Sequence, residues 1–292
     1  MPMALSVYAP SHRLGQRMPV LVPVLLLCTV LLGALYQPLL YVLPLQILQF
    51  VLPCALGAVV GALSAGVISR APCRSPPFAW GLIVVAALVA WVASWASTLA
   101  LDLREAYPDA SWDLLLSSLT PDFVSEWISA RNAAGWVDSK GKTTQGVFVT
   151  IVWVVEPIVM MGTAVFAGRE AARRLFCEPC HRWLDTRSLS AHGLNATDVK
   201  PLIDAGDLRS LVELSSDELM GTNFRISVSR HRCTTCNQST YLSIEEVRVM
   251  NTRYGPQDRR KSLLRNVVLP AALDRRFDER LAELEGAPSR AA

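Results

Sequence analysis

From Met18 to Ser69 the chain runs for 52 residues without an Asp, Glu, Lys or Arg, and a second uncharged run follows from Phe78 to Leu101. A third apolar run, Gly146 to Gly168, is interrupted by one acid, Glu156. Crossing a hydrocarbon core of about 30 Å takes roughly 20 helical residues at about 1.5 Å each. The first run is too long for one span and long enough for two. The pattern therefore predicts four transmembrane helices, at about 19–37, 46–69, 78–101 and 146–168. An uncharged turn around Gln37-Pro38 and Pro44 joins the first two, and Trp80 falls near the headgroup level that indole rings favour.

Basic residues set the expected orientation. Arg13 and Arg17 precede the first span, Arg70 and Arg74 lie between the second and third, and Arg169, Arg173, Arg174 and Arg182 follow the fourth. The first turn has no charge, and the 102–145 loop carries four basic against seven acidic residues. Every basic cluster falls on one side if both termini are cytoplasmic. The expected location is the cell inner (cytoplasmic) membrane, multi-pass. Arg13 and Arg17 resemble the n-region of a signal peptide, but no small-residue cleavage site interrupts the apolar run, so the first span is read as retained.

Within the spans, Gly57, Gly61 and Ala65 recur at spacing four, with Ala58, Ala62 and Gly66 one step round. Small residues at this period let helix backbones approach closely, so this face is expected to pack on another helix, in this chain or in a second copy. Glu156 lies about ten residues into the fourth span. A charge at that depth costs several kcal/mol, so such a residue faces the bundle and often marks an ion or proton path. Its bland reading is a protonated or hydrogen-bonded structural group. Ser64, Ser94, Ser97 and Thr98 are its expected polar partners. In the external loop, Thr120 and Pro121 predict a helix start, and Gly135 its end. Phe123, Trp127 and Ile128 form its apolar face.

Composition sharpens the division. The chain is 51% hydrophobic and only 18% charged, against about 25% charged in ordinary soluble domains. The deficit lies in the first half, which excludes a single soluble enzyme, a disordered chain and a disulfide-stapled secreted domain. From Arg169 to Ala292 the balance becomes that of a soluble domain, with 20 basic and 17 acidic residues. The net charge of +3 is too small to argue for nucleic acid.

Four of the seven cysteines form two Cys-x-x-Cys pairs, Cys177/Cys180 and Cys233/Cys236. Such a turn points two thiolates at one ion, and two turns complete the tetrahedral four-sulfur set that zinc prefers. Residues 224–232 and 239–249 alternate apolar and polar positions with β-branched residues, predicting a strand on each side of the second pair. The expected metal is structural zinc. Four cysteines leave no open coordination position, so catalytic zinc is not expected. A dithiol redox site lacks the βαβ context it requires. His181 and His231 flank the cysteines and are alternative ligands.

The spans together with Phe176-Cys177-Glu178-Pro179-Cys180 and Arg232-Cys233-Thr234-Thr235-Cys236 resemble uncharacterised bacterial multi-pass membrane proteins that end in a cytoplasmic zinc-ribbon-like domain. The resemblance covers the architecture of most of the chain and brings no activity with it. The 52 residues between the pairs are long for a compact ribbon.

The expected fold is a four-helix integral membrane protein followed by a small α+β zinc-ribbon-like domain. Its segments are a cytoplasmic stretch 1–18, a transmembrane domain 19–168, a ribbon 169–255 with a helical insertion 186–222, and a basic, amphipathic C-terminal helix and tail 256–292. Arg259, Arg260, Lys261 and Arg265 form the basic cluster, and Leu273, Phe277, Leu281 and Leu284 the apolar stripe. The expected reading is a helix docked on its own domain; the alternatives are the basic cluster lying along anionic lipid or the stripe pairing with a partner helix. No spacing assembles a catalytic constellation. The leading expectation is a non-enzymatic membrane-anchored adaptor or sensor with a cytoplasmic protein partner. The alternative is a transporter, channel component or proton-coupled device centred on Glu156.

Overall fold

The computed structural model describes residues 6–42, 48–109, 111, 113, 120–137, 143–214, 223–236, 239–253 and 255–286. The chain divides into two compact units, residues 11–173 and residues 1–10 with 174–292.

Four long helices dominate the first unit: α1 (Met18–Val42), α2 (Leu48–Arg70), α3 (Pro76–Ala106) and α5 (Val147–Arg173), with the shorter α4 (Pro121–Ala134) between the last two. All four long helices are long and apolar enough to cross a membrane. α1 packs on α3 and α2, and α5 packs on α2 and α3, which leaves α1 and α5 facing each other across the bundle. The packed interior is lined largely by Ala86, Ala87, Ala90 and Ala164 with Val60, Ile83 and Met160, whereas Val20, Leu27, Leu35, Val147, Ile158 and Phe166 point outward. Larger apolar residues outside and small ones inside suit lipid as the surrounding solvent.

The helices overrun their sequence-predicted ends. α1 continues through Gln37-Pro38 to Val42, so no turn lies there, and Pro44 is outside the described residues. α3 and α5 extend past their apolar runs to Ala106 and Arg173, because hydrogen bonding carries a helix beyond the stretch that hydrophobicity marks. At the end of α5 the Arg173 guanidinium lies 5.8 Å from the centre of the Trp80 ring, within cation–π range.

α4 begins at the cap predicted for it: Thr120 Oγ1 accepts a hydrogen bond from the Phe123 N–H at 3.2 Å. Gly135 ends it at φ 72. Phe123, Val124 and Trp127 pack against Leu99 and Leu103 of α3, and Ile128 remains exposed. Trp127 Nε1 and Arg131 both donate to Asp102. A short hairpin, β1 (Trp136–Val137) with β2 (Thr143–Thr144), follows.

The second unit is strand-rich. A small hairpin, β3 (Phe176–Cys177) with β4 (Arg182–Trp183), precedes an antiparallel sheet ordered β5 (Asp185–His192), β6 (Phe224–Arg232), β7 (Thr240–Thr252), β8 (Gly255–Val268). Val7 bridges Val267 at the β8 edge, with the Tyr8 N–H donating to Asn266 O. Both ends of the chain thus belong to one unit. One sheet face buries Leu189, Ile226, Val228, Leu242 and Ile244. It is covered by α6 (Ala196–Ala205), α7 (Leu208–Glu213) and α8 (Ala271–Gly286) through Val199, Leu211, Val212 and Phe277. Asn195 and Asp198 close α6 with a reciprocal capping box, and Asp207 caps α7.

Two sequence expectations change here. The 186–222 stretch is not a purely helical insertion, since residues 185–192 form a strand paired with residues 225–232 of β6. Its alternation is muted because only Leu189 and Ala191 face the core. Residues 255–268 are likewise a strand, so the basic cluster lies on β8, and the helix starts at Ala271. β8 carries charges on both faces and is held by its pairing with β7, a non-local cause that periodicity cannot report. On α8, Leu273, Phe277 and Leu281 pack into the core. The side chain of Leu284 is outside the described residues.

Candidate metal centre

Each Cys-x-x-Cys pair sits in the turn of a β-hairpin. Cys177 ends β3 and is paired with Arg182 of β4, which puts Cys180 in the connecting turn. Cys233 immediately follows β6, its N–H donates to Ser239 O at 3.1 Å, and the turn leads into β7. The two hairpins bring all four Sγ atoms within 4.8 Å of one another. Cys177 Sγ lies 3.6 Å from Cys236 Sγ and donates to Ser239 Oγ at 3.4 Å.

These separations decide between two chemistries. A disulfide needs sulfurs about 2.05 Å apart, and all four thiols are free. A tetrahedron with metal–sulfur bonds of about 2.3 Å has sulfur–sulfur edges of about 3.8 Å. The cluster has the size of a four-sulfur metal site, and the four cysteines form a candidate metal centre. Cys177 and Cys233 are buried, while Cys180 and Cys236 are partly open. Leu175, Leu184, Tyr8 and Tyr241 wall the site, and the two tyrosine rings meet edge to face at 5.2 Å.

The protonation balance is that of crowded thiols. Burial raises the Cys177 thiol. Cys180 is pushed up to about 12, chiefly through its hydrogen bond with Cys236. At Cys233 burial acts upward too, but the N–H groups of Cys236 and Thr235 outweigh it and hold this thiol below its ordinary value. Backbone N–H groups aimed at the first sulfur of a pair stabilise a thiolate. A divalent cation held by these four sulfurs would displace the protons the other thiols keep.

The histidines stand apart from this set. His231 Nδ1 lies 2.8 Å from Thr186 Oγ1, and its Nε2 lies 3.2 Å from Ser243 Oγ. Ser243 in turn donates to Asn266 Oδ1, so one polar residue from each strand joins a chain across the sheet. With both ring nitrogens engaged, His231 is a structural group. His181 takes a left-handed backbone conformation, φ 51, with its ring beside Phe176. Tyr8 was invisible as a site residue in the sequence: 168 residues lie between it and Cys177, and only the bridge of Val7 to Val267 of β8 brings it in.

Glu156 has a partner, and it is none of those expected. Tyr36 of α1 donates its hydroxyl to Glu156 Oε1 at 2.7 Å. Ser64, Ser94 and Thr98 instead bond to carbonyls of their own helices, and Ser97 reaches Ala34 O of α1. Short hydroxyl side chains in a helix are captured by the carbonyls three or four residues back, whereas a phenol reaches across the bundle. The Gly57 and Gly61 face is used within the chain: added Cβ atoms there would collide with Met160 O and Thr163 Oγ1, and with Ala164 O, of α5.

No protein-family model matches the chain, and neither a curated protein nor a solved structure matches it.

Proposed function

We propose that this is an integral inner-membrane protein whose strand-rich unit is a cytoplasmic module, held by structural zinc and serving as a membrane-anchored adaptor or sensor for a protein partner. The observation that carries the reading is the four-thiol cluster within 4.8 Å. Zinc on four sulfurs is saturated, so it stabilises a fold and offers no position for substrate. Thiols available to metal suit the reducing cytosol. Pairing of Val7 with Val267 supports both chain ends on one face of the membrane, as does the distribution of arginines.

Metal analysis of the detergent-purified full chain tests this reading. About one zinc per chain is expected, lost in a Cys177→Ser/Cys233→Ser variant. Absence of metal in reduced wild-type protein overturns it, and the paired cysteines are then assayed as a redox site.

A second reading, a proton-coupled or transport device, rests on the Tyr36–Glu156 bond. The next residue, Pro157, lies inside α5 and deprives the Trp153 carbonyl of its helical donor, adding a polar group one turn away. Proton uptake by proteoliposomes that disappears in Glu156→Gln supports this alternative. Equal fluxes in variant, wild type and empty liposomes remove it.

A further inference from the structure

β7 and β8 are longer than their neighbours. β6 begins at Phe224, opposite Arg248, and beyond it the N–H of Val249 donates to Asn223 O at 2.7 Å. From Met250↔Gln257 to Thr252↔Gly255 the two strands pair with each other past the end of β6. The ribbon and its root, residues 248–261, hold Arg248, Arg253, Arg259, Arg260 and Lys261 against one acid, Asp258, a net charge of 5 − 1 = +4.

The charges are sorted by face. Arg248 is directly opposite Arg259, Met250 opposite Gln257, and Glu246 opposite Lys261. Cross-strand partners and alternate residues share a face, so Met250, Arg248, Arg259 and Lys261 form one surface. Like charges directly opposite repel. Glu246 answers only part of this charge, bonding Arg248 at 3.0 Å while it also accepts from the Ala196 N–H. Arg259 and Lys261 make no ion pair among the described residues. On the same face Met250 is 43% exposed. Cations in excess over the single carboxylate they share, beside an exposed flexible apolar side chain, are the composition of a segment that lies at a lipid–water interface.

We propose that this face of the β7–β8 ribbon lies on anionic phospholipid headgroups. The inference rests on the membrane reading above, which keeps lipid at high local concentration around the domain. Its chemistry favours a lipid surface over nucleic acid: Asp258 and Arg260 on the opposite face are paired with Arg225 and Glu245, Arg259 and Lys261 on this face make no ion pair among the described residues, and no described aromatic side chain here offers a stacking platform.

The test uses the full chain in nanodiscs of phosphatidylcholine alone or mixed with phosphatidylglycerol, with tryptic cleavage after Arg253 followed by mass spectrometry. Co-elution with the discs reads the membrane assignment separately; a chain that fails to enter discs overturns that assignment and this inference with it. In discs, cleavage about thirtyfold slower with phosphatidylglycerol is expected, as about two cations at an anionic surface imply. High salt should remove the protection. An Arg259→Gln/Lys261→Gln variant should also lose it while retaining its zinc. Equal cleavage in the two discs overturns the proposal, as does protection that appears only when duplex DNA is added.

Discussion

The Tyr36 hydroxyl donates to Glu156 Oε1 at 2.7 Å, joining the two helices that face each other across the bundle. Tyr36 is only 4% exposed, so loss of either partner leaves a polar group with few alternatives. Tyr36→Phe should destabilise the detergent-solubilised protein by about 1 kcal/mol. Glu156→Gln, whose amide oxygen still accepts, should cost less. Thermal unfolding of both variants checks the order, and an unchanged Tyr36→Phe melt would show that the bond contributes nothing.

At the cysteine cluster, metal removal should act on one unit only. Cys233→Ser, or chelation of the wild type, should expose residues 174–250 to protease while the four long helices stay in the membrane fraction. Structural four-sulfur sites supply folding energy directly. Unchanged protease resistance after proven metal loss would show that the core beneath β6 and β7 suffices without metal.

Gly61 packs against the Ala164 carbonyl, a backbone atom that cannot rotate away. Gly61→Val should cost about 1–3 kcal/mol through overpacking between α2 and α5, without changing the oligomeric state. Gly81, where an added methyl group would meet nothing within 4 Å, is the control: Gly81→Ala should be neutral or slightly stabilising in helix α3. Light scattering with thermal melts separates lost packing from lost association.

Arg230 is buried between β6 and α8, bonded to Asp274 at 3.0 Å and Asp278 at 2.6 Å, with the Phe277 ring 4.7 Å away. Asp274→Ala leaves this guanidinium with Asp278 as its one carboxylate and should cost about 1.5–3 kcal/mol. The paired Arg230→Met/Asp274→Leu variant should recover much of that loss. Denaturant unfolding of the two variants reads the difference, and equal losses would deny the coupling.

Glu246 ties the start of α6 to the sheet by accepting from the Ala196 N–H at 3.1 Å. Burial acts to raise its carboxyl, but the Arg248 guanidinium and the Ala196 N–H outweigh burial and hold it below the ordinary carboxylate range. A carboxyl lowered in the folded state contributes stability above its unfolded value of about 4.3 and loses it as pH falls through the folded one. Glu246→Gln should therefore melt earlier than wild type at neutral pH, with the gap closing in acid. A constant gap from pH 7 to about pH 3 would assign the effect to packing instead.

Much of this architecture was legible because the relevant physics is local. Uncharged runs of spanning length, the Thr120 cap with Gly135, and the period of Leu273, Phe277 and Leu281 each report a property of neighbouring residues. Cys177, Cys180, Cys233 and Cys236 were readable for the same reason, since two thiols three residues apart converge in one turn. Strand β8 was not, because Arg259, Arg260 and Lys261 in succession show no alternation and are held extended only by β7.

By itself, then, the sequence determined four long apolar helices, a polar second half and two thiol pairs, all consequences of composition and short spacing. Tertiary structure alone decided that the two pairs converge, that Tyr8 helps wall their site, that Tyr36 rather than a serine meets Glu156, and that the Gly57–Gly61 face is spent on α5. Those outcomes depend on which surfaces meet after the chain has closed loops of tens to hundreds of residues. Closing such loops costs entropy that no local pattern records and that only the packed contacts repay.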